Sequence, residues 1–121
     1  MKKKCLIISI IILTAASSLY AHPPSDIIIS FDARSKILKA KILHNVSNPN
    51  SHFIKKVDVS LNGKEILSQQ FSRQESTFSQ TVSYLIPDAS SQDKLTVEAY
   101  CSISGKLERG ISAEELKILD K

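Results

Sequence analysis

Hydrophobic and polar residues alternate along much of the chain, which is typical of half-buried β-strands. Residues 36–44 place His44 on the same face as their apolar side chains. Residues 94–103 repeat the pattern and place Cys101 and Ile103 on the apolar face. We therefore expect these three side chains to point into a core, with His44 and Cys101 close to strand ends.

Turn signals separate these two segments from further strands. Apolar or alternating runs predict strands at residues 26–32, 52–61, 64–71 and 78–86. Asn62-Gly63 predicts a tight hairpin, and Gly105 and Gly110 flank one more short segment. Residues 112–115 have the spacing of a capping box, which allows a short C-terminal helix. Roughly six to eight short strands with almost no helix indicate an all-β, immunoglobulin-like antiparallel β-sandwich.

The first 21 residues have the features of a cleaved signal peptide. Three lysines at 2–4 precede an apolar run at 5–13 that is short for a membrane span, and small residues lead up to Ala21. We expect cleavage after Ala21, export to the periplasm or the exterior, and a single domain at residues 22–121 with no membrane attachment. An uncleaved anchor, or a cut a few residues earlier, is the alternative.

Removing residues 1–21 also changes the charge. The formal charge falls from +4 to +1, because three lysines leave and no acidic residue does. The remaining basic residues are scattered along the chain, so no electrostatic footprint for nucleic acid is present.

The candidate chemistry rests on four side chains, namely every histidine in the chain and the one cysteine of residues 22–121. The sequence has no nucleophile elbow, no glycine-rich phosphate loop and no acidic pair with catalytic spacing. The four side chains are His22, His44, His52 and Cys101, with His44 and His52 on either side of a turn at residues 47–50.

Imidazole and thiolate together suit iron, copper or zinc. A lone thiol in an exported protein also needs a reason, since cysteines usually pair in oxidising compartments. Each residue has an ordinary alternative: a chain end for His22, polar loop positions for His44 and His52, and a small buried hydrophobe for Cys101.

The order of these motifs resembles the superoxide reductase (desulfoferrodoxin iron-binding) family. The motifs are a histidine beside prolines, two histidines around an Asn/Pro loop, an Asn-Gly hairpin and a late Tyr-Cys-x-x-x-Gly. The resemblance spans His22 to about Leu107. It implies a β-sandwich with one mononuclear iron that reduces superoxide to hydrogen peroxide, using an external electron donor. It also implies that His22, His44 and His52 are equatorial ligands and that Cys101 is the axial ligand.

The chain departs from the family pattern at two places. Ser104 stands where the family has its last histidine, and Tyr20-Ala21 replaces a Glu-Lys pair before the first histidine. The alternatives are therefore a non-catalytic copper- or zinc-binding sandwich and a metal-free interaction module. One copper variant is a histidine brace, formed after cleavage by the imidazole and the free N-terminal amine of His22 together with one more imidazole.

Overall fold

A computed structural model describes residues 22–112 of the chain. The signal peptide predicted for residues 1–21 and the helix predicted after residue 112 lie outside this part. The described residues form seven strands and no helix. The strands are β1 (Asp26–Asp32), β2 (Ile37–Leu43), β3 (Ile54–Leu61), β4 (Lys64–Gln70), β5 (Ser79–Leu85), β6 (Leu95–Cys101) and β7 (Lys106–Ile111).

The strands form two antiparallel sheets that face each other. One sheet has three strands in the order β1-β2-β5, and the other has four in the order β4-β3-β6-β7. This architecture confirms the predicted all-β, immunoglobulin-like sandwich. None of the described residues belongs to a helix long and apolar enough to cross a membrane.

The core lies between the sheets and follows the alternation read from the sequence. From the three-stranded sheet, β2 contributes Leu38, Ala40 and Ile42, each at most 1% exposed. From the four-stranded sheet, Val57 of β3 and Val97 of β6 are fully buried. Burying each of the leucine, isoleucine and valine side chains stabilises the fold by about 1.5–3 kcal/mol. The period-two pattern thus puts one face of each sheet into the core.

The Asn62-Gly63 hairpin between β3 and β4 has the predicted geometry. Both residues have positive φ, 50° and 87°, as the common two-residue hairpin turn requires. The Asn62 side chain also accepts a hydrogen bond from Lys94 N and donates one to Asp93. The turn is therefore joined to the segment that leads into β6.

Two features differ from the sequence expectation. Ile103, expected in the core, is 53% exposed, because β6 ends at Cys101 and the following turn interrupts the alternation. The segment around Gly110, left without an assignment, is the edge strand β7, which pairs with β6 from Tyr100↔Lys106 to Leu95↔Ile111. The side chains of β7 are mostly exposed. Its sequence therefore lacks the alternation of hydrophobic and polar residues that would predict a strand.

The pairing registers bring four chain segments to one end of the sandwich, which we call the site end. The start of β1 pairs with the end of β2, at Asp26↔Leu43. The start of β3 pairs with the end of β6, at Ile54↔Cys101. His22, His44 and His52 lie just beyond three of these strand ends, and Cys101 is the last residue of β6.

Candidate metal centre

The three histidines meet at the site end. Their ring centroids are 4.9 Å apart for His22–His44, 5.1 Å for His22–His52 and 4.9 Å for His44–His52. One ring nitrogen from each lies within 4.8 Å of the others. Three imidazoles from residues distant in sequence therefore share one small volume.

His22 is held in place by the residues that follow it. Ser25 N donates to Leu43 O at 2.8 Å, which joins the segment to the end of β2. Pro23 lies against Gly105, close enough that a Cβ at Gly105 would be 2.9 Å from the Cβ of Pro23. Gly105 has φ of +90°, a conformation that glycine adopts without strain. A glycine here thus allows the N-terminal segment to reach the site.

His44 is fully buried and its Nδ1 lies 2.8 Å from Oε1 of Gln74. Gln74 is itself only 3% exposed and comes from the loop between β4 and β5. Its backbone N donates to Pro49 O at 3.0 Å. This loop therefore contacts the Asn/Pro loop through its backbone and contacts the His44 ring through the Gln74 side chain.

His52 and Cys101 form the other half of the site. His52 Nε2 lies 3.1 Å from Cys101 Sγ. Phe53 and Ser102 fix this approach through two hydrogen bonds, Ser102 N to Phe53 O at 2.8 Å and Phe53 N to Ser102 Oγ at 3.1 Å. An irregularity in the β3–β6 register follows immediately, between Ile54 and Lys56, and such bulges commonly redirect a strand end.

The sulfur of Cys101 is buried and is contacted by the backbone of the next turn. Cys101 is 2% exposed, and Ile103 N donates to its Sγ at 3.4 Å. Cys101 N donates to Gly105 O at 2.9 Å, which closes the turn around the sulfur. One backbone N–H donor is therefore directed at the sulfur within this turn.

Burial is the main cause of a lowered pKa at His52, and the nearby imidazoles of His44 and His22 lower it further. A His52 with a lowered pKa is neutral at neutral pH. Because metals bind the unprotonated imidazole nitrogen, this environment keeps His52 competent to act as a ligand.

The donor set fits a divalent transition metal. Metal–imidazole bonds are about 2.0–2.1 Å long, so two donors on one ion are separated by about 4 Å or less. The three nitrogens, all within 4.8 Å of one another, need only a small contraction to reach that range. Within residues 22–112, no aspartate, glutamate or cysteine joins this group of three imidazoles, and the Cys101 sulfur lies beside it through its contact with His52.

The structure brings the three histidines together and places Cys101 Sγ beside one of them, His52, although metal binding by these four residues stays a prediction. Ser104, at the position of the family's last histidine, is exposed in the turn after β6. The Tyr20-Ala21 pair lies outside the described residues. Sequence reasoning missed Gln74, because a glutamine in a polar loop carries no periodic signal.

The site and fold together define a β-sandwich with a histidine-rich potential metal centre. The superoxide reductase (1Fe-SOR) from Giardia intestinalis has a similar fold, with a TM-score of 0.56 at 14% identity, covering 75% of this chain and 99% of that one. At this identity the similarity shows the fold and nothing finer. No family profile and no curated protein sequence matches the chain.

Proposed function

We propose that the chain is an exported superoxide reductase that binds one mononuclear iron through His22, His44, His52 and Cys101. The observation that carries the proposal is the meeting of three imidazoles within 4.8 Å, beside a thiol that lies 3.1 Å from one of them. The fold similarity to a superoxide reductase supports the same assignment.

Bound iron would supply one electron to superoxide, which with two protons gives hydrogen peroxide, and an external donor would return the electron. The protein's own contribution is to hold the ligands. His22, His44 and His52 would each supply a ring nitrogen, and Cys101 would supply a sulfur ligand that adds electron density to the metal. The Ile103 N–H, directed at the sulfur at 3.4 Å, would donate a hydrogen bond to this ligand.

Ser104 bears on which metal binds. Three imidazoles and one thiolate suffice for zinc, which commonly takes four nitrogen and sulfur ligands. Copper also binds imidazole and thiolate well. The choice among iron, copper and zinc is therefore the point on which the catalytic proposal depends.

The test is the metal content and reactivity of the exported protein. Protein recovered after native export is analysed for its N-terminal residue and its elements, and is then mixed with superoxide in the presence of a chemical reductant. We expect about one iron per chain, a thiolate-to-iron absorption band and peroxide formation. Cys101→Ser removes the thiolate, so the band disappears and peroxide formation falls.

Other results identify the alternatives. Stoichiometric zinc or copper with no peroxide formation indicates a non-catalytic metal-binding sandwich. If copper binding weakens when one residue is added before His22, the histidine brace is supported. If the protein binds no metal at all, the enzyme assignment is contradicted. The remaining alternative is then a metal-free interaction module.

A further inference from the structure

The side-chain amide of Gln74 has an orientation that its hydrogen bonds determine. Its Nε2 lies 2.8 Å from His44 O and 2.9 Å from Ser76 O. Both neighbours are carbonyl oxygens that can only accept, so they require the NH₂ group at this position. The remaining amide atom, Oε1, therefore faces Nδ1 of His44 at 2.8 Å.

This orientation determines which nitrogen of His44 carries a proton. Oε1 of Gln74 can only accept, so Nδ1 of His44 must donate to it. A neutral imidazole with its proton on Nδ1 has its lone pair on Nε2. Because both side chains are buried, water does not offer Nδ1 an alternative acceptor.

A competing acceptor lies on the opposite side of the ring. His22 O is 3.2 Å from Nε2 of His44. Without Gln74, the proton could reside on Nε2 and be donated to this carbonyl, which would occupy the one ring nitrogen that Gln74 does not contact. Gln74 and His22 O thus favour opposite tautomers of the same ring, and the shorter contact is to Gln74.

We propose that Gln74 is a positioning residue that keeps His44 in its Nδ1–H tautomer and leaves Nε2 available to the metal. The consequence for metal binding rests on the proposed function. The tautomer itself does not, because it follows from hydrogen bonds of the metal-free protein. Partners of this kind typically change metal affinity by about 10–100-fold when removed.

A matched control exists in the same part of the chain. Gln80 is also a buried glutamine, 8% exposed. It accepts from Glu75 N at 3.0 Å and donates to Thr81 O at 3.0 Å. Gln80→Met therefore removes two partly buried hydrogen bonds to the backbone without removing a contact to a histidine, whereas Gln74→Met also removes the acceptor for His44.

The experiment measures the tautomer of His44 by ¹⁵N NMR of the metal-free protein at pH 8. We expect a protonated Nδ1 in the wild type and in Gln80→Met, and a shift of the proton to Nε2 in Gln74→Met. A wild-type His44 with its proton on Nε2 would overturn the proposal without any variant. An unchanged tautomer in Gln74→Met would overturn it as well.

A second experiment measures the affinity of each variant for ferrous iron, and separately for zinc, by competition against a chelator. We expect about a 10–100-fold loss of affinity in Gln74→Met and none in Gln80→Met. Gln74→Glu keeps an oxygen that accepts from Nδ1 and so should regain part of the lost affinity. Equal losses in Gln74→Met and Gln80→Met would show a merely structural role. If the wild type binds neither metal, the proposed function fails while the tautomer result still stands.

Discussion

Pro23 lies on Gly105 with no space between them for a side chain. A Cβ at Gly105 would be 2.9 Å from Pro23 Cβ and 3.1 Å from Pro23 Cα, and real Cβ atoms do not approach so closely. Since His22 directly precedes Pro23, this contact sets how near the first imidazole comes to the other two. A residue that contributes no ligand thus controls the geometry of the site.

Gly105→Ala should therefore weaken metal binding as well as stability. The positive φ at this position makes any L side chain unfavourable by about 1–2 kcal/mol, and the added methyl group also pushes Pro23 away. Gly63→Ala is the control, because Gly63 has φ of +87° with nothing within 4 Å. Urea unfolding should show destabilisation in both variants, larger in Gly105→Ala because of the added clash with Pro23, and chelator competition should show lower iron affinity only in Gly105→Ala. Equal affinities would contradict the role assigned to the Pro23–Gly105 contact.

Ferrous iron should stabilise the folded protein by mass action. A ligand that binds only the folded state at a concentration 100 times its Kd adds about 2.7 kcal/mol. We expect this increase in the wild type and in Lys41→Ala, an exposed position on β2, and its loss in His52→Ala. Thermal unfolding with and without iron measures it. An equal shift of Tm in His52→Ala would place the binding site elsewhere.

Replacing His44 and His22 should have unequal effects on the metal-free protein. His44 is fully buried, and His44→Ala creates a cavity and leaves the Gln74 oxygen without its donor. We expect a loss of about 2–4 kcal/mol in the free energy of unfolding. His22 is only partly buried, so His22→Ala should cost under about 1 kcal/mol. Urea unfolding of both variants without metal gives the comparison, and similar losses would disagree with the burial seen here.

The metal-free protein should lose stability in mild acid through His52. Its pKa in the folded state lies below the ordinary value of 6.5, so between these two values the unfolded chain binds more protons than the folded chain. The free energy of unfolding then falls as the pH drops below 6.5, and the full contribution is present above that value. Unfolding measured from pH 8 to pH 5 should show a steeper fall in the wild type than in His52→Gln. Parallel curves would rule out this contribution.

Strand alternation in the sequence predicted much of this fold. His44 and Cys101 were placed on inward faces at strand ends, and both are buried there. Alternation succeeds because each sheet has one face in the core and one in water. It failed at Ile103, where a turn rather than a strand continues the chain, and it gave no sign of β7, whose exposed side chains show no period.

The candidate site was only partly readable from the sequence. Residue chemistry and a family resemblance singled out the three histidines and Cys101, since few other side chains could bind a transition metal. The supporting contacts were not readable, because they join segments far apart in the chain. Gln74 reaches His44 from another loop, and Gly105 meets Pro23 from the far end of the described residues. Such contacts depend on the register of strand pairing in the sheets. The local order of hydrophobic and polar residues does not specify that register.

The N-terminal segment has a consequence for how the site would exchange a metal. Residues 22–25 precede β1, and Pro23 and Pro24 have no N–H to donate. Opening this segment breaks the Ser25–Leu43 hydrogen bond and the Pro23–Gly105 contact but none of the β1–β2 pairs that begin at Asp26↔Leu43. Local openings of this kind need less free energy than global unfolding. A bound ion would lose its His22 ligand first, through a brief opening of the chain end, while His44, His52 and Cys101 stay in place. Metal release would then be governed by this short opening rather than by the stability of the sandwich.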